Sequence, residues 1–206
     1  LNTLSVTGGT LNLNGTFTRN GGTTLAGGVL GINSLAALGS NALALNGGTL
    51  RFLAGNMDLS TRPFTVGSAS TLDLNGNALT FSQPINVGGI NRITLVGGGS
   101  LTLSSATDPI GGPFTNNASL IVTPSASINL PVLSGTGTLT VNGGSNVVTL
   151  PSGSSWNGTT NINSGTLKMS AANNLGGGQV VNFANTAGVT LDLNNFDQTV
   201  LLITGG

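Results

Sequence analysis

Residues 134–178 read SGTGTLTVNGGSNVVTLPSGSSWNGTTNINSGTLKMSAANNLGGG, and Lys168 is the single charged side chain in these 45 positions. Apolar and polar residues alternate in TLTV (138–141) and in TLKM (166–169). A period of two is typical of a β-strand that buries one face. Because disordered chains are poor in large apolar residues, this stretch predicts folded strands despite its low charge.

The same alternating tetrad recurs along the whole chain. Clear copies begin at residues 10, 49, 71, 100, 138, 166 and 190, and weaker ones at 29 and 119. Their leading apolar residues stand at positions 11, 30, 50, 72, 101, 120, 139, 167 and 191, with intervals of 19, 20, 22, 29, 19, 19, 28 and 24. A period of roughly 20 residues indicates stacked structural repeats.

The segments between the tetrads are rich in turn-forming residues. Asn-Gly pairs and Gly pairs separate the tetrads, and no stretch has a convincing helical apolar period. A Pro-apolar pair precedes several tetrads, as in PFTVGSASTLDL (63–74) and PVLSGTGTLTV (131–141), so each repeat holds at least two strands. We predict an all-β fold, a parallel β-solenoid (β-helix) in which residues 1–206 form one domain of roughly nine rungs, with about 20 residues per rung and insertions.

The charges are few and balanced. The chain has five Lys and Arg residues and five Asp residues, so the net charge is zero, and charged residues make up 5% of the chain. This predicts no nucleic-acid partner and no membrane insertion by this segment, since neither a basic patch nor a long apolar run is present. The third position of the clear tetrads holds Asn12, Arg51, Asp73, Thr102, Thr140, Lys168 and Asp192. A position that accepts both charge signs is predicted to face solvent.

The residue types that carry most enzyme chemistry are missing. His, Cys, Glu and Tyr are absent, so we predict no catalytic triad, no metal site, no cofactor and no enzymatic activity. The alternative is a polysaccharide-degrading site in which stacking brings Asp58, Asp73 and Asp192 together. Trp156 is interpreted as a partly buried anchor of its turn, with a sugar-stacking platform as the alternative.

A family resemblance rests on GTGTLTVNGG (135–144), WNGTTNINSGTLKMSAANNLGGG (156–178) and GVTLDLNNFDQTV (188–200). These segments resemble the autotransporter-associated β-strand repeat, a glycine-rich unit of bacterial autotransporter-type passenger domains. The match is best over 134–200, with a degenerate copy in 21–53, where 28–39 align with 165–176. Trp156-Asn157-Gly158 departs from the family's frequent Tyr-Thr-Gly. The resemblance implies a secreted or cell-surface bacterial β-solenoid and no particular activity.

A neutral surface favours association, and the end segments LNTLSV (1–6) and LLITGG (201–206) continue the repeat pattern. We therefore predict an extracellular structural protein that binds itself head to tail, as a filament or surface fibre. The residues predicted to mediate this self-association are Leu1, Leu4, Val6, Val200, Leu201, Leu202 and Ile203. One alternative is that the chain is a fragment of a longer autotransporter-type passenger, an adhesin that binds glycans or cell surfaces. Another is ice binding, which would need stacked Thr-x-Thr pairs, whereas 16–18 and 138–140 are isolated in the sequence.

Overall fold

Strands about 21 residues apart in the sequence lie side by side and run parallel, so the chain winds into a β-solenoid of about nine rungs. The computed structural model describes residues 2–15, 17, 19–88 and 91–205. Within them the helical structure consists of two short 3-10 segments, Leu35–Leu38 and Leu59–Thr61. The prediction of an all-β parallel β-solenoid is confirmed.

Twenty-one strands make up the solenoid. They are β1 (Leu4–Leu13), β2 (Thr23–Ile32), β3 (Leu43–Leu45), β4 (Thr49–Phe52), β5 (Met57–Asp58), β6 (Phe64–Val66), β7 (Ser70–Asp73), β8 (Ala78–Phe81), β9 (Asn86–Val87), β10 (Ile93–Val96), β11 (Ser100–Leu103), β12 (Phe114–Asn116), β13 (Ser119–Val122), β14 (Ile128–Asn129), β15 (Leu133–Gly135), β16 (Thr138–Leu150), β17 (Ser155–Trp156), β18 (Thr159–Met169), β19 (Val180–Phe183), β20 (Thr190–Asp192) and β21 (Leu202–Gly205).

The strands stack into three faces. In every rung the chain passes from the third face to the first and then to the second. The third face holds the first halves of β1 and β2, then β3, β6 and β9, and later β14, the second halves of β16 and β18, and β20. The first face follows it with the second halves of β1 and β2, then β4, β7, β10, β12, β15 and β17. The second face holds β5, β8, β11, β13, the first halves of β16 and β18, β19 and β21.

The four longest strands each cover two faces because a glycine lets them bend at the corner. β1 and β2 pass from the third face to the first, and β16 and β18 pass from the second face to the third. Gly9, Gly28, Gly144 and Gly165 stand at these corners with φ between 64° and 78°. Glycine adopts this left-handed conformation without the Cβ clash that other residues meet. The strands therefore bend without ending.

The core is a set of apolar columns that fill the interior of the coil. Leu30, Leu50, Leu72 and Leu95 stack in register on the first face, and each is fully buried. Leu79, Leu101, Leu120 and Leu139 form the matching column of the second face. Burying such a side chain stabilises the fold by about 1.5–3 kcal/mol, so the alternation read from the sequence is the main source of stability.

The tetrads recur about once per rung but do not form a single column, because they lie on different faces in different parts of the coil. The leading residues at positions 11, 30, 50 and 72 lie on the first face, those at 101, 120 and 139 on the second, and those at 167 and 191 on the third. The long intervals of 29 and 28 residues in the sequence mark the two steps from one face to the next. The sequence did not reveal these steps, because alternation shows that a residue points inward but not on which face.

Two arginines support the part of the coil where the second face has no strand. The described chain forms no second-face strand before β5, and the 3-10 segment Leu35–Leu38 takes that place in the second rung. The Arg62 guanidinium donates to the carbonyls of Leu35 and Gly39, each at 3.1 Å, and Arg19 donates to that of Ala37 at 2.8 Å. Burial, and then the nearby charge of Arg19, lower the pKa of Arg62 from its ordinary value. The two arginine side chains thus donate to backbone carbonyls that have no strand partner in this part of the described coil.

Candidate interaction surfaces

The residues predicted to mediate self-association lie at the two ends of the solenoid. Leu201, Leu202 and Ile203 come together at the C-terminal end, where they are 69%, 51% and 57% exposed. Val200 is half-buried and packs against the core. At the other end, Val6 is buried and Leu4 is half-buried, because both lie in β1 and face the core. Leu1 lies outside the described residues.

One edge of β21 is open. β21 pairs with β19, which places Leu202 beside Val180 and Ile203 beside Val181. Leu201 N–H donates to the carbonyl of Gln179 at 2.8 Å. No strand of the described chain pairs with the opposite edge of β21. Ile203 lies beside the buried Val181, and no further rung of the described chain covers it.

We call Leu193, Leu201, Leu202 and Ile203 the C-terminal patch. Leu193 is 42% exposed and follows β20 on the third face of the last rung. The sequence patterns did not single it out as an association residue. Leu193 occupies the fourth, inward position of the tetrad 190–193. An inward position in the last tetrad of the sequence is the signal that could have marked Leu193 as exposed.

The N-terminal end presents β1 and an exposed aromatic ring. β1 pairs with β2 along one edge, and Leu11 on its inner side is half-buried. Phe17 is 51% exposed, and the guanidinium carbon of Arg19 lies 5.8 Å from the centre of its ring. This distance is within the range of a cation–π contact. Phe17 was not predicted as an association residue because it lies between tetrads.

Charge is distributed unevenly along the rod. Residues 1–103 hold four arginines and two aspartates, a net charge of +2, whereas residues 104–206 hold one lysine and three aspartates, a net charge of −2. Among the residues described, the ion pairs are Arg51–Asp73 at 2.7 Å and Lys168–Asp192 at 3.7 Å, each joining successive rungs. The N-terminal part is therefore positive and the C-terminal part negative.

Uncharged polar side chains form outward columns on the second face. One column contains Thr80, Thr102, Thr140, Asn161, Asn182 and Thr204 and is interrupted by Ile121. A neighbouring column contains Ser100, Ser119, Thr138 and Thr159. Asn182 Nδ2 donates to Asn161 Oδ1 at 2.8 Å within the first column. Thr138 and Thr140 lie beside Ser119 and Ile121 in one neighbouring rung and beside Thr159 and Asn161 in the other, so no second Thr-x-Thr pair stacks on them, as the sequence predicts.

The three aspartates considered for catalysis are not brought together. Asp58, on the second face, accepts hydrogen bonds from the backbone N–H groups of Ser60 and Ser82 at 3.0 and 3.2 Å. Asp73 pairs with its arginine on the first face, and Asp192 pairs with its lysine on the third. In the portion of the chain that the structure covers, no group of three or more acidic side chains is placed to hold a metal ion. Nor does any described helix have the length and apolar character needed to cross a bilayer.

Trp156 is fully buried, so its ring is not available as a sugar-stacking platform. Its Nε1 donates to Thr160 Oγ1 at 3.0 Å, and the Thr160 hydroxyl donates to Gln179 Oε1 at 3.1 Å. Gln179 Nε2 in turn donates to the Trp156 carbonyl at 2.8 Å. The interpretation of Trp156 as an anchor agrees with this structure, although the ring is buried completely rather than partly.

A shallow groove of about 320 Å³ crosses three rungs beside β14. Its walls are largely apolar and include Pro113, Pro131, Pro151 and Val132. The Asp108 carboxylate at its rim accepts from the Asn129 backbone N–H at 2.7 Å. This contact joins two rungs, so a structural role accounts for the carboxylate.

Comparisons with protein-family models, with curated proteins and with solved structures found no match to this chain. The structure shows a parallel β-solenoid. Membership of the autotransporter-type repeat family remains a prediction from the sequence.

Proposed function

We propose that this chain is a non-enzymatic structural protein of the bacterial cell surface or extracellular space, and that copies associate end to end into a filament or surface fibre. The observation that carries the proposal is the C-terminal patch beside the open edge of β21. An open strand edge offers unpaired N–H and C=O groups to another strand, and the neighbouring apolar side chains lose water when that strand binds. The resemblance to autotransporter-type repeats supports the extracellular location.

The composition of the rod supports the same proposal. The net charge is zero and charged residues form 5% of the chain, so repulsion between copies is weak. Stability comes from stacked columns inside the coil, and each rung contacts only its neighbours. A protein built in this way extends by adding rungs, whether they belong to one copy or to the next.

Leu202→Lys is expected to weaken self-association at least tenfold. The substitution places a charge at the open edge, and a loss of about 1.4 kcal/mol in association free energy is already tenfold in affinity. Sedimentation velocity over a range of concentrations measures the effect. Oligomers of the 206-residue chain should grow with concentration, whereas the variant should stay monomeric over the same range.

Val132→Lys is the matched control, because Val132 is also exposed, at 39%, but directly precedes β15 within the rod and does not belong to β21. It should associate as the unmodified chain does. A chain that remains monomeric at every concentration, or a control that dissociates as Leu202→Lys does, would contradict end-to-end association.

A second candidate function is glycan binding by an adhesin, and the polar columns of the second face favour it. Thr138, Thr140 and Thr159 present hydroxyl groups from successive rungs, and Asn161 adds an amide. Hydroxyl and amide groups both donate and accept hydrogen bonds, as sugar hydroxyls require. The columns bear no charge between β8 and β21, which suits a neutral polysaccharide.

Replacing Thr138 and Thr140 together by valine is expected to lower affinity for a neutral polysaccharide at least fivefold. The change removes two hydroxyls and keeps side-chain shape, and each lost hydrogen bond is worth about 0.5–1.5 kcal/mol. Affinity electrophoresis in gels that contain the polysaccharide measures the retardation. Thr65→Val on the third face is the control, and an unmodified chain that migrates freely through all such gels would exclude this candidate.

A further inference from the structure

We infer that the first face carries a binding site for an acidic polysaccharide, in which Arg92 holds a sugar carboxylate between a column of hydroxyl groups and the groove beside β14. The site lies along the rod, so the inference does not depend on association between copies. It also concerns a different face and a different ligand from the neutral polysaccharide considered for the second face.

Hydroxyl side chains follow one another along the outside of the first face. Strand pairing places six of them in register, one from each of six successive rungs: Thr49, Thr71, Thr94, Thr115, Ser134 and Ser155. They face outward because the neighbouring residue in each strand is buried, as Leu95 and Phe114 are. Rungs lie about 4.8 Å apart, a spacing close to the length of a sugar unit in an extended chain. We call these six residues the hydroxyl column.

Arg92 lies across the hydroxyl column. Its side chain is exposed, and its Nη1 donates to Thr115 Oγ1 at 2.9 Å and to Ser134 Oγ at 3.2 Å. The guanidinium is therefore held against two rungs. Within the described chain, Nε and Nη2 of Arg92 have no hydrogen-bond partner. These two adjacent N–H groups form a planar fork that matches the two oxygens of a carboxylate.

The charge of Arg92 is not balanced by a neighbouring acid. The ion pairs of the described residues are Arg51–Asp73 and Lys168–Asp192, and neither includes Arg92. The strands of the first face from β10 to β17 contain no aspartate. Arg92 is thus a single positive charge on an otherwise neutral stretch of this face, which favours an anionic ligand over a neutral one.

The groove beside β14 adds an apolar surface next to Arg92. Arg92, Pro113 and Val132 directly precede the inward residues Ile93, Phe114 and Leu133, which are paired in register, so the three occupy neighbouring outward positions. Pro113 and Val132 also line the groove. Its volume of about 320 Å³ lies within the range of small-ligand sites. The carbon-bound face of a sugar ring can pack there while its carboxylate reaches Arg92.

Asp108 fixes the direction in which such a ligand lies. It stands at the rim of the groove on the side of the third face, where Asn129 of β14 donates to its carboxylate through the backbone N–H at 2.7 Å and through Nδ2 at 3.2 Å. A ligand carboxylate is repelled by Asp108 and attracted by Arg92, so it points toward the first face. A polymer of uronic acids has all three features that the site requires: a carboxylate, hydroxyl groups and an apolar ring face.

The test measures binding to alginate, a polymer of uronic acids, by surface plasmon resonance in buffer without divalent cations. The unmodified chain should bind immobilised alginate at least tenfold more tightly than it binds the neutral polymer dextran. Arg92→Gln should lower the affinity for alginate at least tenfold, because it removes the charge and the fork together. Arg92 is exposed, and circular dichroism checks that the variant folds.

Lys168→Gln is the matched control. It changes the net charge by the same amount, but Lys168 lies on the third face and is paired with Asp192. Its affinity for alginate should stay within about twofold of the unmodified chain, since exposed ion pairs contribute little. A loss equal to that of Arg92→Gln would mean that net charge alone attracts the polymer, and would overturn the inference.

Arg92→Lys separates the fork from the charge. An ammonium group keeps the charge but cannot form two parallel hydrogen bonds with a carboxylate, so the affinity for alginate should fall at least threefold. An affinity equal to that of the unmodified chain would overturn the role assigned to the fork. An unmodified chain that binds neither polymer, or both equally, would overturn the site itself.

Sedimentation velocity on the same proteins separates this inference from the proposed function. Arg92→Gln should self-associate as the unmodified chain does, because Arg92 lies on β10 side of the groove and not in the C-terminal patch. A loss of self-association in Arg92→Gln would show that a second copy occupies the groove and would overturn the inference. Binding of alginate by a chain that stays monomeric would support the site and contradict the proposed function.

Discussion

Replacing Trp156 with alanine is expected to lower the free energy of unfolding by about 3–5 kcal/mol, the range for removing a large aromatic ring from a core. Trp156 is fully buried, so its neighbours would border a cavity. The substitution also removes the donor that Thr160 accepts from, within a buried network that includes Gln179. Denaturant unfolding followed by far-ultraviolet circular dichroism measures the change, because the variant has no tryptophan to report by fluorescence.

Trp156→Phe is the control that separates the ring from its N–H group. Phenylalanine fills most of the same space but cannot donate to Thr160, so its cost should be smaller, about 1–3 kcal/mol for an unpaired buried group and a small cavity. Equal losses for the two variants would show that the hydrogen-bond network dominates. An alanine variant within about 1 kcal/mol of the unmodified chain would contradict the burial of the ring, since a buried aromatic costs more.

Gly158→Ala is expected to lower the free energy of unfolding by about 3 kcal/mol, at the upper end of the usual cost of overpacking. A Cβ at this position would collide with the Gly137 carbonyl oxygen of the preceding rung and would lie 2.5 Å from Cζ2 of Trp156. Neither neighbour can retreat easily, because hydrogen bonds hold the rungs about 4.8 Å apart and the indole is fully enclosed. The fluorescence of the single Trp156 reports the unfolding of this variant.

Gly8→Ala is the matched control for Gly158→Ala. A Cβ at Gly8 meets no atom within 4 Å, and Gly8 is not among the residues with positive φ. Its effect should stay within about 0.5 kcal/mol, as for most surface substitutions. Comparable losses in unfolding free energy at both positions would mean that the general effect of replacing glycine on the backbone, rather than the close approach of two rungs, determines the loss.

The fold was predictable because its main signals are local. Alternation within four residues identifies a strand and its buried side, and the return of that pattern after about 20 residues identifies the stack. The face of each strand was not predictable. Leu72 lies beside Leu95, although the next tetrad after 71–74 begins at residue 100. The lengths and conformations of the corners decide which face comes next, and alternation carries no information about corners.

The candidate surface was predictable only in part. Leu201, Leu202 and Ile203 were expected to be exposed and are exposed, because within the described chain β21 has a neighbour on one side only. Val6 has the same apolar character, yet it is buried because β2 and the core cover it. The exposures of Leu193 and Phe17 depend on which rung lies above or below them. These contacts depend on the three-dimensional stacking of the rungs, which the sequence patterns do not specify.

The corner glycines allow two similar segments of the chain to take different places in the coil. Residues 28–39 and 165–176 align in sequence, yet β2 bends from the third face to the first, whereas β18 bends from the second face to the third. The two copies are six rungs and two further faces apart. A strand, a glycine corner and a second strand thus form a unit that occurs at two of the three corners of the coil. A segment of this kind is therefore not tied to one face of the coil, because its stacking needs inward apolar residues and a glycine at the bend rather than a fixed starting face.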